Sequence, residues 1–314
     1  MSERGYSDLV ESAALARPRR FSVSERRFRQ LAIAAATMLL VVVATGATVR
    51  LTASGLGCPH WPGCDGAVRL PEKGYHSFVE FGNRVVAFVT IVATLALGIA
   101  ASLAQLPRWT KVLAWLTFVG TLAQAPLGAI TVYYHLNPYL VLSHFLLSLV
   151  VLTAGVVVLL ESLGEHVPPL VPTWLRVGAV AFGLACVTMV ITGTLATAAG
   201  PHPGSRDGVR RLGNFQVALD THVRATAAFG ITLVVGLAAL WVFRARARGL
   251  LVALVGLLAL LGVQMAIGEI QYHSRLPWWL VLIHVTTAAA VWAATTAFVT
   301  SFFRPLARLA PHRA

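Results

Sequence analysis

Four polar side chains, each set about two turns into an otherwise apolar run, are the residues of this 314-residue chain best placed to do chemistry. They are His144, His222, His284 and Asn83, each roughly 10 Å deep at the rise of an α-helix. A polar group in hydrocarbon is costly, so each needs a partner or a function. A neutral imidazole in apolar surroundings offers its lone pair to haem iron. His222 and His284, at one level on two helices of a bundle, can clamp a porphyrin edge-on between them. The alternative for each is a hydrogen bond to a neighbouring helix. His144 repeats that depth in the first half, but Asn83 stands where a second histidine would be expected. An amide is a poor iron ligand, so this half is expected to hold iron through His144 and leave its other side open.

Glu80 lies one turn before Asn83, and residues 80, 83 and 84 fall on one helix face. A carboxylate beside an open iron face suits a proton acceptor or an anion that stabilises a developing cation. An ion pair between Glu80 and Arg84 at i, i+4 is the structural alternative. Arg84 and Arg224 are candidates for haem propionates, as are Arg50 and Arg69 near the first outer loop. Snorkelling to lipid phosphate would explain them equally well. Cys58 and Cys64 share that loop; on an oxidising side they can close a small disulfide or work as a redox pair. One such pair is too few for a zinc site. Cys186 reads as a small apolar side chain, and His60, His76, His135, His202 and His273 as solvent-facing.

These residues need helices in a membrane to position them. Hydrophobic residues make up 57% of the chain, charged residues 12%, and mean hydropathy is +0.74, which excludes a soluble globular or disordered protein. Eight apolar stretches are long enough to cross a bilayer core: Leu31–Val49, Phe78–Leu103, Val112–Val132, Tyr139–Leu160, Trp174–Ala196, Phe215–Val242, Leu250–Ile270 and Trp278–Phe302. The fold class is therefore all-α integral membrane. With the N-terminus inside, the inner segments carry sixteen Lys and Arg and the outer segments seven, which puts both termini in the cytoplasm. The net charge of +13 is read as contact with anionic lipid, not with nucleic acid.

The halves repeat. At an offset of 140 residues, Gln124–His144 matches Gln264–His284 at eight of 21 positions, including the paired Gln, Gly128/Gly268 and the paired His. Thr45-Gly46 recurs as Thr192-Gly193, and NRVVAF near Asn83 is loosely echoed by HVRATAAF near His222. The expected organisation is two fused four-helix bundles, residues 31–160 and 174–303, related by a pseudo-two-fold along the membrane normal. A basic cytoplasmic segment (1–30), a linker (161–173) and a tail (304–314) complete it. The first unit would carry the substrate site and the second the haem.

Taken together, TGATVRLTASGLGCPHWPGCDG, FVEFGNR, QAPLGAITV followed by His144, His222, and QMAIGEIQY followed by His284 resemble the haem A synthase family over nearly the whole chain. The resemblance implies an eight-helix enzyme of the bacterial cell membrane that serves cytochrome oxidase assembly. It would oxidise the C8 methyl of haem O to a formyl group through successive hydroxylations. It implies a haem b cofactor between His222 and His284, a substrate site with Glu80 and His144, and a first-loop pair at Cys58 and Cys64. Haem O synthase and an electron acceptor would be partners, and a homo-oligomer stays open. Two departures stand out: Asn83 where many members carry histidine, and no second cysteine pair in GPHPGSRDGVRRLGN. A non-catalytic electron carrier would instead call for two equivalent sites and no carboxylate; a haem transporter or chaperone is the third reading.

Overall fold

In lipid a backbone N–H or C=O must find its partner within its own segment, so apolar runs of this length fold as helices. The computed structural model describes residues 22–58, 60–61, 63–64, 71, 74–164, 171–205 and 209–303. Among them stand eight helices, each long and apolar enough to cross a membrane. They are α1 (Glu25–Leu51), α2 (Tyr75–Leu103), α3 (Arg108–Tyr133), α4 (Pro138–Ser162), α5 (Thr173–Ala199), α6 (Phe215–Val242), α7 (Arg248–His273) and α8 (Trp278–Thr300). The protein is a multi-pass helical membrane protein.

The helices overrun the apolar stretches at several ends. α1 starts at Glu25 inside the expected basic segment, because the Ser24 hydroxyl accepts from the Arg27 N–H and Glu25 complements the helix dipole. Residues 1–21 and 304–314, with most of the terminal basic charge, lie outside the described residues, as does Arg69.

Within each half, the helices close a ring. α1 packs on α2, α2 on α3, α3 on α4 and α4 back on α1; α5, α6, α7 and α8 repeat the circuit. Between the halves, α4 meets α8, α1 meets α8 and α4 meets α5. Exchanging the halves turns the α1–α8 contact into the α5–α4 contact and leaves the α4–α8 contact unchanged, so the interface has the form of a two-fold. The largest apolar core runs across this interface, from Leu39 and Leu152 to Phe182, Phe229 and Phe298. The ring of Phe182 stacks on Phe229 at 4.7 Å between centroids and meets Phe298 edge-on at 5.6 Å. One polar tie lies within it: the Trp292 indole N–H of α8 donates to the Leu149 carbonyl (3.0 Å) and the Thr153 hydroxyl (2.9 Å) of α4.

The connections α1–α2, α3–α4, α5–α6 and α7–α8 gather at one end of the bundle, the loop face. There Arg50 donates from Nε to the His202 carbonyl (3.0 Å) and from Nη2 to the Thr197 carbonyl (2.9 Å). The Gly55 N–H donates to the Gly204 carbonyl at 2.9 Å, and His202 Nε2 donates to the Leu276 carbonyl at 2.8 Å. Two of the histidines expected in solvent are thus bonded and half-buried: His202, and His76, whose Nδ1 lies 2.9 Å from Ser54 Oγ. The α3–α4 and α7–α8 turns repeat in backbone detail. His135-Leu136 and Arg275-Leu276 all have positive φ, and the Leu136 and Leu276 N–H groups reach back to the Thr131 and Gln271 carbonyls. This is how a left-handed cap closes a helix end.

Arg50→Met removes charge-assisted bonds between the halves and is expected to cost about 2–3 kcal/mol. Trp292→Phe removes an interhelical bond but leaves the Thr153 hydroxyl on the Leu149 carbonyl, and is expected to cost about 1 kcal/mol. Thermal midpoints of the detergent-solubilised variants check the order.

Candidate functional site

The two halves build the same frame around the intramembrane histidines. On α3, Gln124 Nε2 donates to the His144 carbonyl of α4 at 3.2 Å; on α7, Gln264 Nε2 donates to the His284 carbonyl of α8 at 2.9 Å. One turn further along, glycine lets each imidazole lie against the neighbouring helix. A Cβ on Gly128 would come within 3.5 Å of His144 Cε1, and one on Gly268 within 3.1 Å of His284 Cε1. The approach is closest at α5, where a Cβ on Gly193 would meet His222 Cε1 at 2.8 Å.

The ring nitrogens are not equivalent. His222 Nδ1 lies 3.1 Å from the Met189 carbonyl and 3.3 Å from Thr192 Oγ1. A carbonyl can only accept, so Nδ1 carries the proton and Nε2 keeps its lone pair. Among the described residues, Nδ1 of His144 and Nδ1 of His284 are buried with no hydrogen-bond partner. Rings inside a helical bundle with a free lone pair or an unpartnered nitrogen, seated on glycine-lined helix surfaces, fit the axial ligation of a porphyrin.

In the first half, Asn83 takes the place that His222 holds in the second. Thr45 Oγ1 is 2.7 Å from Asn83 Oδ1, as Thr192 Oγ1 is beside His222 Nδ1. Gly46 faces Asn83 as Gly193 faces His222, with more room: a Cβ there would be 3.9 Å from Asn83 Oδ1.

Glu80 has no acidic counterpart in the second half, where Leu219 precedes His222 by the same three residues. Glu80 is 5% exposed, and both oxygens are engaged. Oε1 pairs with Arg84 Nη2 at 2.6 Å, and Oε2 accepts the Cys58 N–H at 2.8 Å. The ion pair is therefore present, and it is part of something larger. Arg84 Nη1 also donates to the carbonyls of His60 (2.7 Å) and Gly63, while Nη2 reaches the Cys58 carbonyl at 3.5 Å. Cys58 and Cys64 are disulfide-bonded, and both are buried. The loop they close lies on the first turn of α2: Ser77 Oγ donates to the Gly57 carbonyl (2.7 Å), and a Cβ on Gly57 would sit 2.6 Å from the His76 carbonyl. So Arg84 ties the cystine loop to Glu80. The spacing of residues 80, 83 and 84 was visible in the sequence; the grip of Arg84 on loop carbonyls was not, because a carbonyl acceptor carries no sequence signal. Arg50, too, is spent on carbonyls. Arg224 is exposed on α6, two residues beyond His222.

Paired intramembrane imidazoles in a duplicated eight-helix bundle, with a buried carboxylate under a cystine loop, define a class of polytopic membrane protein. The family model for the cytochrome oxidase assembly protein COX15-CtaA matches residues 29–296, and the chain belongs to that family. It is similar to heme A synthases of Bacillus pumilus, with 34% identity over 125 residues (39% of this chain, 40% of the relative), and Geobacillus kaustophilus, with 37% over 105 residues (33% of each). A third, from Exiguobacterium sibiricum, is 28% identical over 161 residues, 50% of this chain and 54% of the relative. The chain thus spans between a third and just over half the length of these relatives in the matched stretches.

Arg84→Leu removes the donor that holds three loop carbonyls, so Gly57, Cys58, His60, Trp61, Gly63 and Cys64 are expected to exchange amide hydrogens faster while α2 beyond Val85 keeps its protection. Hydrogen exchange read by mass spectrometry checks this; unchanged uptake in the loop would contradict the assigned role of Arg84.

Proposed function

We propose that this protein is a haem A synthase, a membrane oxidoreductase that converts the C8 methyl of haem O into a formyl group. The observation that carries the reading is an asymmetry. Two halves share one glycine–imidazole and glutamine–carbonyl frame, yet the first alone pairs it with a buried carboxylate and with an amide in place of the second imidazole. A passive electron carrier would need neither difference. The family and the names of the similar proteins support the same reading.

In this reading, His222 and His284 would hold a haem b, and Arg224 would pair with one of its propionates. Haem b, when bound, supplies one-electron transfer. His144 holds the iron of the substrate haem O, with Asn83 on the opposite helix. Glu80 is held in place by Arg84 and the Cys58 N–H, and a carboxylate keeps further lone pairs beyond these two bonds. Those lone pairs accept a proton, or their charge stabilises a cation developing at the methyl carbon. Arg84 holds Glu80, and the Cys58–Cys64 loop covers it from the loop face. The excess of positive residues on the other side supports a reading with that face outside and both termini in the cytoplasm of a bacterial cell. Haem O synthase is the source of substrate, and an electron acceptor is the further partner.

Expressed beside a haem O synthase, the wild-type protein is expected to yield a formyl-bearing pigment, and Glu80→Gln to yield none while keeping the haem b absorbance. Mass spectra of the extracted haems check both; unchanged haem O in haem-loaded wild-type membranes would overturn the function. Gly193→Ala drives a methyl group into His222 and is expected to abolish or shift the low-spin haem b signal. Gly46→Ala, which faces Asn83 in the other half, leaves that signal unchanged. Reduced-minus-oxidised spectra distinguish the two.

A further inference from the structure

The helix surface opposite Asn83 is built for a histidine. In the second half, the seat of His222 consists of the Met189 carbonyl, the Thr192 hydroxyl and Gly193, all on α5. α1 carries the same three features at the same spacing: the Val42 carbonyl, the Thr45 hydroxyl and Gly46. Thr45 Oγ1 lies 3.2 Å from the Val42 carbonyl, as Thr192 Oγ1 lies 2.9 Å from that of Met189. Asn83 occupies this seat through its amide, with Thr45 Oγ1 at 2.7 Å. An asparagine amide reaches as far along the side chain as histidine Nδ1 and stops there. It therefore keeps a bond to the threonine, with Thr45 Oγ1 now donating to Oδ1, and removes the atom that would ligate a metal, the counterpart of Nε2. On the other side, His144 keeps its full frame of Gln124 and Gly128.

Resting on the reading of this half as a porphyrin site, we propose that Asn83 keeps the site open towards α2, so that iron held there by His144 takes a small neutral ligand of the diatomic-gas class, while the His222–His284 site takes none. Asn83 then sets the ligand chemistry of the first site without touching the iron.

The test uses full-length protein purified with haem O supplied, chemically reduced and exposed to carbon monoxide. Two haems per chain are expected, one of which shifts its Soret band with the gas and one of which does not. In Asn83→His the new imidazole competes from within the chain, so gas binding at the first site falls roughly tenfold or more and a second low-spin signal appears. Asn83→Ala keeps gas binding, and His144→Ala loses the gas-reactive haem alone. Added imidazole, which needs no variant, converts the gas-reactive signal of the wild type to low spin. Two bound haems of which neither or both take up the gas would overturn the proposal, as would undiminished binding in a folded Asn83→His protein. A single haem per chain, indifferent to gas, would instead overturn the reading of the first half as a porphyrin site.

Discussion

An imidazole inside a lipid-embedded bundle must have somewhere to put both ring nitrogens, and the rest of this molecule is arranged around that demand. Water is absent, and every carbonyl of a regular helix is already bonded. Neighbouring helices answer locally. Glycine on α3, α5 and α7 lets a ring lie against the next helix, glutamine on α3 and α7 ties down the backbone of the histidine, and the Met189 carbonyl takes one N–H. Two rings still have an unpartnered nitrogen.

Duplication gives two copies of the frame, and divergence makes them unequal. The copies share helix circuit, turn conformation and glutamine ties. Among their differences on α2 and α6 are Glu80 against Leu219 and Asn83 against His222. Both differences lie on one face of one helix, within a turn of each other, and the cystine loop sits directly above them. One half therefore keeps a pair of imidazoles, while the other gathers a carboxylate, an arginine and a disulfide on a shared surface.

Much of this could be read from the residues. Apolar runs located the eight helices, with Phe215–Val242 correct at both ends, because the need to span hydrocarbon fixes length and composition together. The paired Gln, Gly and His of the repeat marked the frame, and depth alone matched the histidines to one another. What stayed hidden runs through the main chain. Arg50 crossing to Thr197 and His202, Arg84 holding the loop, and His202 on Leu276 all use carbonyl acceptors, which every residue carries alike. The start of α1 was hidden for a related reason: Ser24 extends the helix through a local cap into charged residues where hydropathy falls away. Thr45-Gly46 was visible as a repeat, but its purpose emerged only once Thr192 was found beside His222.

The preserved seat on α1 also bears on how the two halves came to differ. Asparagine and histidine codons are separated by a single base, so the second imidazole is one of the nearest variants this gene can sample. Val42, Thr45 and Gly46 would receive it with no further change in α1. At this position the inequality of the halves is thus a single base change away from being undone, while Glu80 and the cystine loop would still set the first half apart.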